Sequence, residues 1–496
     1  MEFFLKNLIN ICVSLSKKVE KCSFHVNQIQ DQVYFAKLSL LNNYYWIFLL
    51  IFLFIFISTI LYLKKKITYR AEVFFILFNF FLILLTILLF KNNIPFTDTW
   101  YELDFLINSS QKTYLLTKFD NFLFGFRPIH LLVFNYFNLN YDLITYLNIF
   151  IFFLSVIILI LLIDKSKAKK FILLFLLIFF SGKWFNIFYE PVNIVWTINF
   201  LLTLCFCYLL LFKKNLIINI SIIIVLFLSI INFKASFVTI MFSIFYGLFV
   251  EKKIRDRLVF ILSPIFLLLI VNYFLEINTI KIIDKNIFNP INYIPSTNIF
   301  LILKNFISMQ SIVFFPYIKY SVNFSFFFSL FQNLLIIFYL LKNKNLMNNF
   351  NNFIKNNPFM IIGILGCFTI SLVKQDITQI RYFSFSLLYQ IGFIFFIINN
   401  YDFLNSLKKY LLFRNFLLIT FFLNLIFFHQ GIHFALSKFT VYAKSLECLK
   451  INDNDKLCES YIYEKTFYDD KNFDREKFDN IIIFLKKNNL TIFRNL

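Results

Sequence analysis

The chain has 496 residues, of which 60% are hydrophobic and only 15% charged, and its mean hydropathy is +0.74. No soluble domain of this length keeps so much apolar surface in water, so the composition excludes a soluble globular enzyme and reads as an all-α, polytopic membrane protein. The net charge of +21 does not point to nucleic acid, because the Lys and Arg residues sit in short loops between apolar runs, where they orient spans; the expected partner is the lipid bilayer.

In chain order, residues 1–43 form an N-terminal segment that carries Lys6, Lys17, Lys18 and Lys21. Its apolar stretch is too short for a cleaved signal, so it is expected as an amphipathic interfacial helix. The transmembrane domain is expected over 44–430. A spanning helix needs about 20 apolar residues to cross roughly 30 Å of hydrocarbon, and about twelve runs qualify. In the first half they lie near Tyr44–Leu63, Ala71–Phe90, Tyr141–Ile163, Phe171–Phe188, Val192–Phe212 and Leu216–Phe233. The second half supplies Ala235–Val250, Leu258–Leu275, Val322–Leu341, Pro358–Val373, Phe383–Ile398 and Leu411–His429.

Lys64–Lys66 with Arg70, then Lys165–Lys170, Lys213–Lys214 and Lys252–Arg257 fall in every second loop, and Lys342, Lys344, Lys408 and Lys409 continue the alternation. By the positive-inside rule those loops are cytoplasmic, which places 94–140, the turn at Glu190, the segment 276–320, the loop at Asp376 and the tail 431–496 outside.

The outer segments hold the candidate chemistry. Just past an apolar run, Ile94–Trp100 reads IPFTDTW, and Asp98 is a carboxylate at the mouth of a span, where it keeps its charge only in water or beside a partner. A merely solvated loop charge is the competing reading for Asp98 and the main one for Glu102 and Asp104, which follow. Arg127 and His130 come later in the same loop; His130 could bind a phosphate, but a lone His beside a membrane helix is more often a satisfied packing residue. Glu190 lies in a very short outer turn near the depth of Asp98, as a second site carboxylate or a solvated charge. Trp100 and Trp196 fit an aromatic belt better than a ligand-stacking face. The segment 276–320, with Pro290, Pro295 and Pro316 among apolar runs, fits broken helices at the bilayer surface. Arg381 and Tyr382 open a late span at its outer mouth.

Seven cysteines form no CxxC pair, and Cys205 and Cys207 sit inside a span as small apolar residues. Cys448 and Cys458 fall in the polar tail, where a disulfide closing a short loop is favoured. The tail also carries an amphipathic stretch at 475–490, long enough for a small folded appendage. No phosphate loop, nucleophile elbow or zinc-spaced His/Cys cluster occurs, so no cofactor and no metal are expected. Internal repeats are not visible, and ionisable residues collect at span ends rather than mid-helix, which favours an interfacial site over a coupled transport path.

The ordered motifs resemble the GT-C superfamily of membrane glycosyltransferases, in particular a group of uncharacterised bacterial GT-C-like proteins. A span is followed by IPFTDTW, then by FGFRPIHLLVF (Phe124–Phe134) in a long outer loop. PVNIVWTINF (Pro191–Phe200) is similar to the group's Glu-Asn-x-Leu-Trp-Gly-Phe-Gln segment, and QIRYFSFSLLYQIGF (Gln379–Phe393) to its Ser-Arg-Tyr-x-Thr-x-Ser segment. Val192 stands where the group has Glu, with Glu190 two residues earlier, and Phe-Gly-Phe precedes Arg127 where the group has His-Asn-Glu-His.

The resemblance implies a multi-pass enzyme of the bacterial inner membrane, with the outer loop 94–140 folded as short interfacial helices over a membrane-embedded groove. Such an enzyme takes a sugar from a polyprenyl-phosphate carrier and adds it to a glycan or protein acceptor on the outer, periplasmic face. Asp98 would be the general base, and Arg381 or Arg127 the clamp for the leaving phosphate, with Glu190, Trp100, His130 and Tyr382 around the substrate. For both arginines, anchoring a helix end by snorkelling is the competing role. The rival readings are a lipid-linked oligosaccharide flippase or other transporter, a polysaccharide polymerase, and a scaffold without chemistry.

Overall fold

A computed structural model describes residues 83–85, 88, 93–95, 98–116, 125–164, 172–180, 184–212, 215–232, 237–278, 298–314, 321–341, 346–373, 382–400, 435, 438–449, 455–467, 475–491 and 493. The N-terminal segment 1–43, the runs Tyr44–Leu63 and Leu411–His429, most of Ala71–Phe90 and the stretch 279–297 lie outside the described residues. Among the described residues every regular element is helical.

Three described stretches, Tyr141–Ile163, Pro191–Leu210 and Val322–Leu341, are long and apolar enough to cross a membrane. A fourth arises if the bent pair Phe350–Asn356 and Pro358–Leu372 is one span. Their outward faces are those of helices in hydrocarbon. On α4 (Tyr141–Asp164) the exposed residues Phe150, Leu154, Ile157 and Leu161 follow a helical period, and on α12 (Ser321–Leu341) so do Phe324, Phe327, Phe331, Leu334, Phe338 and Leu341. Contiguous apolar stripes of this kind are stable against lipid, not water. The chain is thus an integral membrane protein of all-α architecture.

The apolar runs become helices much where their length and period require. The run Leu216–Phe233 forms α8 (Leu216–Asn232), Ala235–Val250 forms α9 (Phe237–Phe249), and Leu258–Leu275 lies within α10 (Ile254–Asn278). Pro358–Val373 is α14, and α15 covers Phe383–Asn400. Further along, α11 (Ile299–Met309) opens on Asn298, whose side chain accepts from the N–H groups of Phe300 and Leu301, satisfying donors that a helix start leaves open.

The expected single span Phe171–Phe188 is divided. It forms α5 (Ile172–Phe179), a turn at Phe180, and the short α6 (Trp184–Phe188). The indole N–H of Trp184 donates to the Phe179 carbonyl at 2.8 Å, satisfying a carbonyl freed by the end of α5. Trp184 then packs among Phe152, Phe179, Phe188, Phe200 and Phe383, an aromatic cluster that favours the turned conformation over one straight helix.

A second irregularity follows α11. Its last turn runs through Gln310 and Ser311 into a 3₁₀ turn, Ile312–Phe314, and the freed backbone is met by side chains of α15. The Gln310 carbonyl accepts from Ser386 Oγ at 3.0 Å and Gln390 Nε2 at 2.9 Å, and the Val313 N–H donates to Ser386 Oγ at 3.1 Å. Gln332 of α12 donates to Gln390 at 2.8 Å. Non-helical backbone within an apolar bundle persists only when its polar groups are satisfied inside the protein, and this amide cluster does that. Helices α14 and α15 approach closely: a Cβ on Gly363 would lie 2.4 Å from the Tyr389 backbone nitrogen, so only glycine fits there.

Candidate functional site at the helix-start end

Three long helices begin at one end of the bundle. Asn148 of α4 donates to the Ile187 carbonyl at 3.0 Å, which brings the start of α4 beside the turn Pro191–Asn193 that leads into α7 (Ile194–Leu210). Trp196 in the first turn of α7 packs edge-on against Tyr382, just ahead of α15, with ring centroids 5.7 Å apart. Over this end lies the segment between Asn93 and Tyr141. It forms α1 (Asp98–Asn108), α2 (Gln111–Leu116) and α3 (Arg127–Phe137), short helices where the sequence places them.

The segment is fastened at several points. Asn93 Oδ1 accepts from the Tyr141 N–H at 2.8 Å, capping α4. Gly125 donates to the Asn232 carbonyl at 3.2 Å, and a Cβ there would meet Asn232 Oδ1 at 2.0 Å, so glycine lets the chain pass between α7 and α8. Pro128 in the first turn of α3 lacks only an N–H that the helix start could not use. Helix α3 ends with Asn138 and Leu139 at positive φ, and the Leu139 N–H returns to the Val133 carbonyl.

Beneath α1 lies a sealed charged cluster. Glu102 and Arg127 are 1% and 0% exposed, and the guanidinium forks onto the carboxylate, with Nε to Oε2 at 3.0 Å and Nη2 to Oε1 at 3.3 Å. Arg127 Nη1 donates to the Tyr114 carbonyl at 3.1 Å, and the rings of Phe105 and Tyr114 flank the cation. His130 joins through Nδ1 to Tyr114 Oη at 2.7 Å and Nε2 to Tyr141 Oη at 3.1 Å, stacked on Phe126. A neutral imidazole offers one donor and one acceptor, so one tyrosine hydroxyl donates to the ring and the other accepts from it. Burial, with the nearby Arg127 charge second, pushes the His130 pKa down to about 3. Burial first, and the Glu102 charge next, holds the Tyr114 hydroxyl well above its usual range. The expectation that Glu102 only solvates the loop is therefore overturned, because its carboxylate is enclosed and bidentately paired. Asp104 is half-buried and accepts from Asn108 Nδ2 at 2.7 Å; burial raises its pKa, against the opposing pull of Lys477.

The second cluster is half open. Glu190 is 24% exposed, accepts from Asn193 Nδ2 at 2.7 Å, and has Lys438 Nζ 3.8 Å from Oε1. Lys438, at the head of the helical run 438–449, is 1% exposed. Burial pushes its pKa down to about 8, with Glu190 pulling the other way. Helix α1 packs against the Pro191–Asn193 turn, so the helix that starts at Asp98 borders this pair. The Asp98 side chain and Arg381 lie outside the described residues.

Trp100 is 1% exposed, so it does not sit in a lipid-facing belt. Its indole N–H donates to Thr466 Oγ1 at 3.0 Å and its ring meets Phe478 edge-on at 5.1 Å. Both partners come from the tail, in α16 (Asp455–Phe467) and α17 (Arg475–Lys487). Helix α17 is the expected amphipathic stretch: Phe478, Ile481, Ile482 and Leu485 recur at helical spacing, are buried, and hold it on α1. The Thr491 N–H reaches the Asn138 carbonyl at 3.1 Å, and a disulfide joins Cys448 to Cys458. The tail is therefore packed onto the α1–α3 layer.

Arg127 and His130 thus belong to one cluster with Glu102, Tyr114 and Tyr141, while Glu190 belongs to another with Asn193 and Lys438. Tyr382 lies against Trp196 at the same end. Lys438 was missed by sequence reasoning, although a lone cation within the apolar-rich run Ala435–Val441 was the available signal. Among the described residues no group of three His, Cys, Asp or Glu is placed to hold a metal. The chain matches no protein-family model, and no curated protein or solved structure is significantly similar to it.

Proposed function

We propose that this protein is a multi-pass, GT-C-like membrane glycosyltransferase of about twelve spans. It works at the outer face of a bacterial inner membrane and transfers a sugar from a polyprenyl-phosphate donor to a glycan or protein acceptor. The observation that carries this reading is the gathering, at the starts of α4, α7 and α15, of the Asp98 helix, the Glu190 turn and the Trp196–Tyr382 pair. These are the motif positions of the resemblance, and they come from segments far apart in the chain.

In the proposed step the acceptor hydroxyl gives its proton to Asp98 while its oxygen attacks the anomeric carbon. The bond from that carbon to the phosphate oxygen breaks, and polyprenyl phosphate leaves. The charge that builds on the phosphate is met by Arg381. Arg127, enclosed against Glu102, acts instead as the positioning residue that fixes α1 and hence Asp98. A lipid phosphate reaches such a site sideways from the bilayer, which suits a groove at the ends of spanning helices.

The test compares surface glycans and polyprenyl-phosphate sugars, by mass spectrometry, in cells carrying wild-type protein or Asp98→Asn at matched abundance. Loss of one sugar with build-up of its lipid carrier is expected. An unchanged profile, where deletion of the gene alters it, would reject Asp98 as the base and put transport or scaffolding ahead.

A further inference from the structure

We propose that Glu190, Asn193 and Thr197, with Lys438 closed in behind them, form a subsite for an uncharged, hydroxyl-rich ligand, a sugar ring rather than a phosphate or an amine. The inference rests on the glycosyltransferase reading and adds which part of the donor or acceptor meets this corner.

Two buried polar atoms at this corner lack described partners. Asn193 uses its amide N–H on Glu190 Oε2, but its Oδ1 is buried and accepts no hydrogen bond from any described residue. One helical turn on, the Thr197 hydroxyl is fully buried and equally without a described partner. Buried polar atoms are nearly always satisfied, and two such atoms on one face beside a carboxylate mark a place where something else supplies donors. Glu190, 24% exposed, adds carboxylate lone pairs beyond those that Asn193 and Lys438 take. The corner thus offers acceptors at Asn193 and Glu190 and, at Thr197, a hydroxyl that both donates and accepts, which suits a ligand bearing several O–H groups.

Charge narrows the class. Glu190 repels a phosphate. An ammonium would answer the same acceptors, but Lys438, sealed and 3.8 Å behind the carboxylate, already supplies that positive charge. Glu190 disfavours an anion and Lys438 a second cation, and a neutral polyol is the ligand that neither repels. The phosphate of a lipid-linked donor must then lie away from Glu190, toward the start of α15. The positioning role of Lys438 is to hold the Glu190 carboxylate in place from its buried side.

The experiment uses the full chain in nanodiscs and saturation-transfer NMR with methyl glycosides of glucose, mannose and galactose, with methyl phosphate and methylammonium as matched probes. Methyl phosphate, which the Arg381 clamp can take, should bind no more weakly in Glu190→Gln than in wild type. Wild-type protein is expected to bind at least one glycoside and no methylammonium. Glu190→Gln should weaken that binding roughly tenfold, and the near-isosteric Thr197→Val by a few-fold. Lys438→Met, which leaves the acceptors with an unbalanced negative charge, should gain methylammonium binding, a switch that mere loss of packing does not produce.

Binding of no glycoside, equal glycoside binding in Glu190→Gln, a wild-type preference for methylammonium, or methyl phosphate binding that weakens in Glu190→Gln would overturn the subsite. If Glu190-dependent glycoside binding is present but no sugar transfer occurs, the enzymatic reading fails and the subsite stands. If transfer proceeds in Glu190→Gln with unchanged KM, the subsite fails and the enzymatic reading stands.

Discussion

Two charged clusters lie within the same helical layer, and they differ in how completely they are satisfied. Around Arg127 both charges are enclosed, the fork is bidentate, and the neighbouring imidazole is held between two hydroxyls. Around Glu190 one charge is sealed and the other open, the pair is 3.8 Å apart, and acceptors on the same face lack described partners. Burial of charge therefore does not by itself mark chemistry. A saturated network fixes geometry, whereas an unsaturated one at a boundary leaves capacity for a ligand.

The comparison breaks most easily at Glu102. Glu102→Gln leaves an enclosed guanidinium facing a neutral amide, and removing one partner of a buried pair costs about 3–5 kcal/mol. Unfolding in detergent, followed by near-UV circular dichroism, should show that loss. Retention of wild-type stability would mean that Arg127 has another partner of equal worth.

The next effect is one of pH. The folded-state pKa of His130 is about 3, below its usual 6.5, so between those values the unfolded chain binds a proton that the folded chain refuses. The contribution of His130 is complete above pH about 6.5 and falls as pH drops toward 3, by at most about 1.4 kcal/mol per pH unit. In His130→Gln the acid-side slope of stability against pH should lose up to one proton. An identical slope in variant and wild type would place the ring in water.

The smallest effect belongs to the open cluster. Lys438→Met replaces a buried ammonium by an apolar chain of similar reach and leaves Glu190 part-exposed and held by Asn193, so stability should change by less than about 1 kcal/mol. Glu190→Gln should cost about 1–2 kcal/mol, because it strips the sealed ammonium of its counter-charge. The sharper result is the asymmetry between the two. Equal losses would make this pair a structural bridge like the other.

Much of this fold is legible in the sequence, because apolar runs of spanning length can only satisfy their backbone as helices. The helices 141–164, 194–210, 321–341, 358–373 and 383–400 begin and end near the predicted limits. Local pattern could not show that the run at 171–188 turns at Phe180, because that turn depends on Trp184 meeting rings from 152, 200 and 383. At the site, the motif residues Glu190, Trp196 and Tyr382 do lie at one end, as their order suggests. The partners were not legible: Trp100 finds Thr466 across 366 positions, and Glu102 finds Arg127 across an interval with no helical or strand period. Long-range pairing of single polar residues leaves no periodic trace, so Glu102 looked solvated and Trp100 looked like a belt residue.

The most direct measurement is transfer itself, with the purified full chain in liposomes, a panel of radiolabelled polyprenyl-phosphate sugars and an outer-membrane acceptor extract. The account predicts that one donor releases polyprenyl phosphate as its sugar appears on an acceptor, and that Asp98→Asn slows this roughly hundredfold or more while Glu102 and Arg127 still hold α1 in place. Release at the wild-type rate by Asp98→Asn, or no release from any donor by the folded wild-type protein, would contradict it.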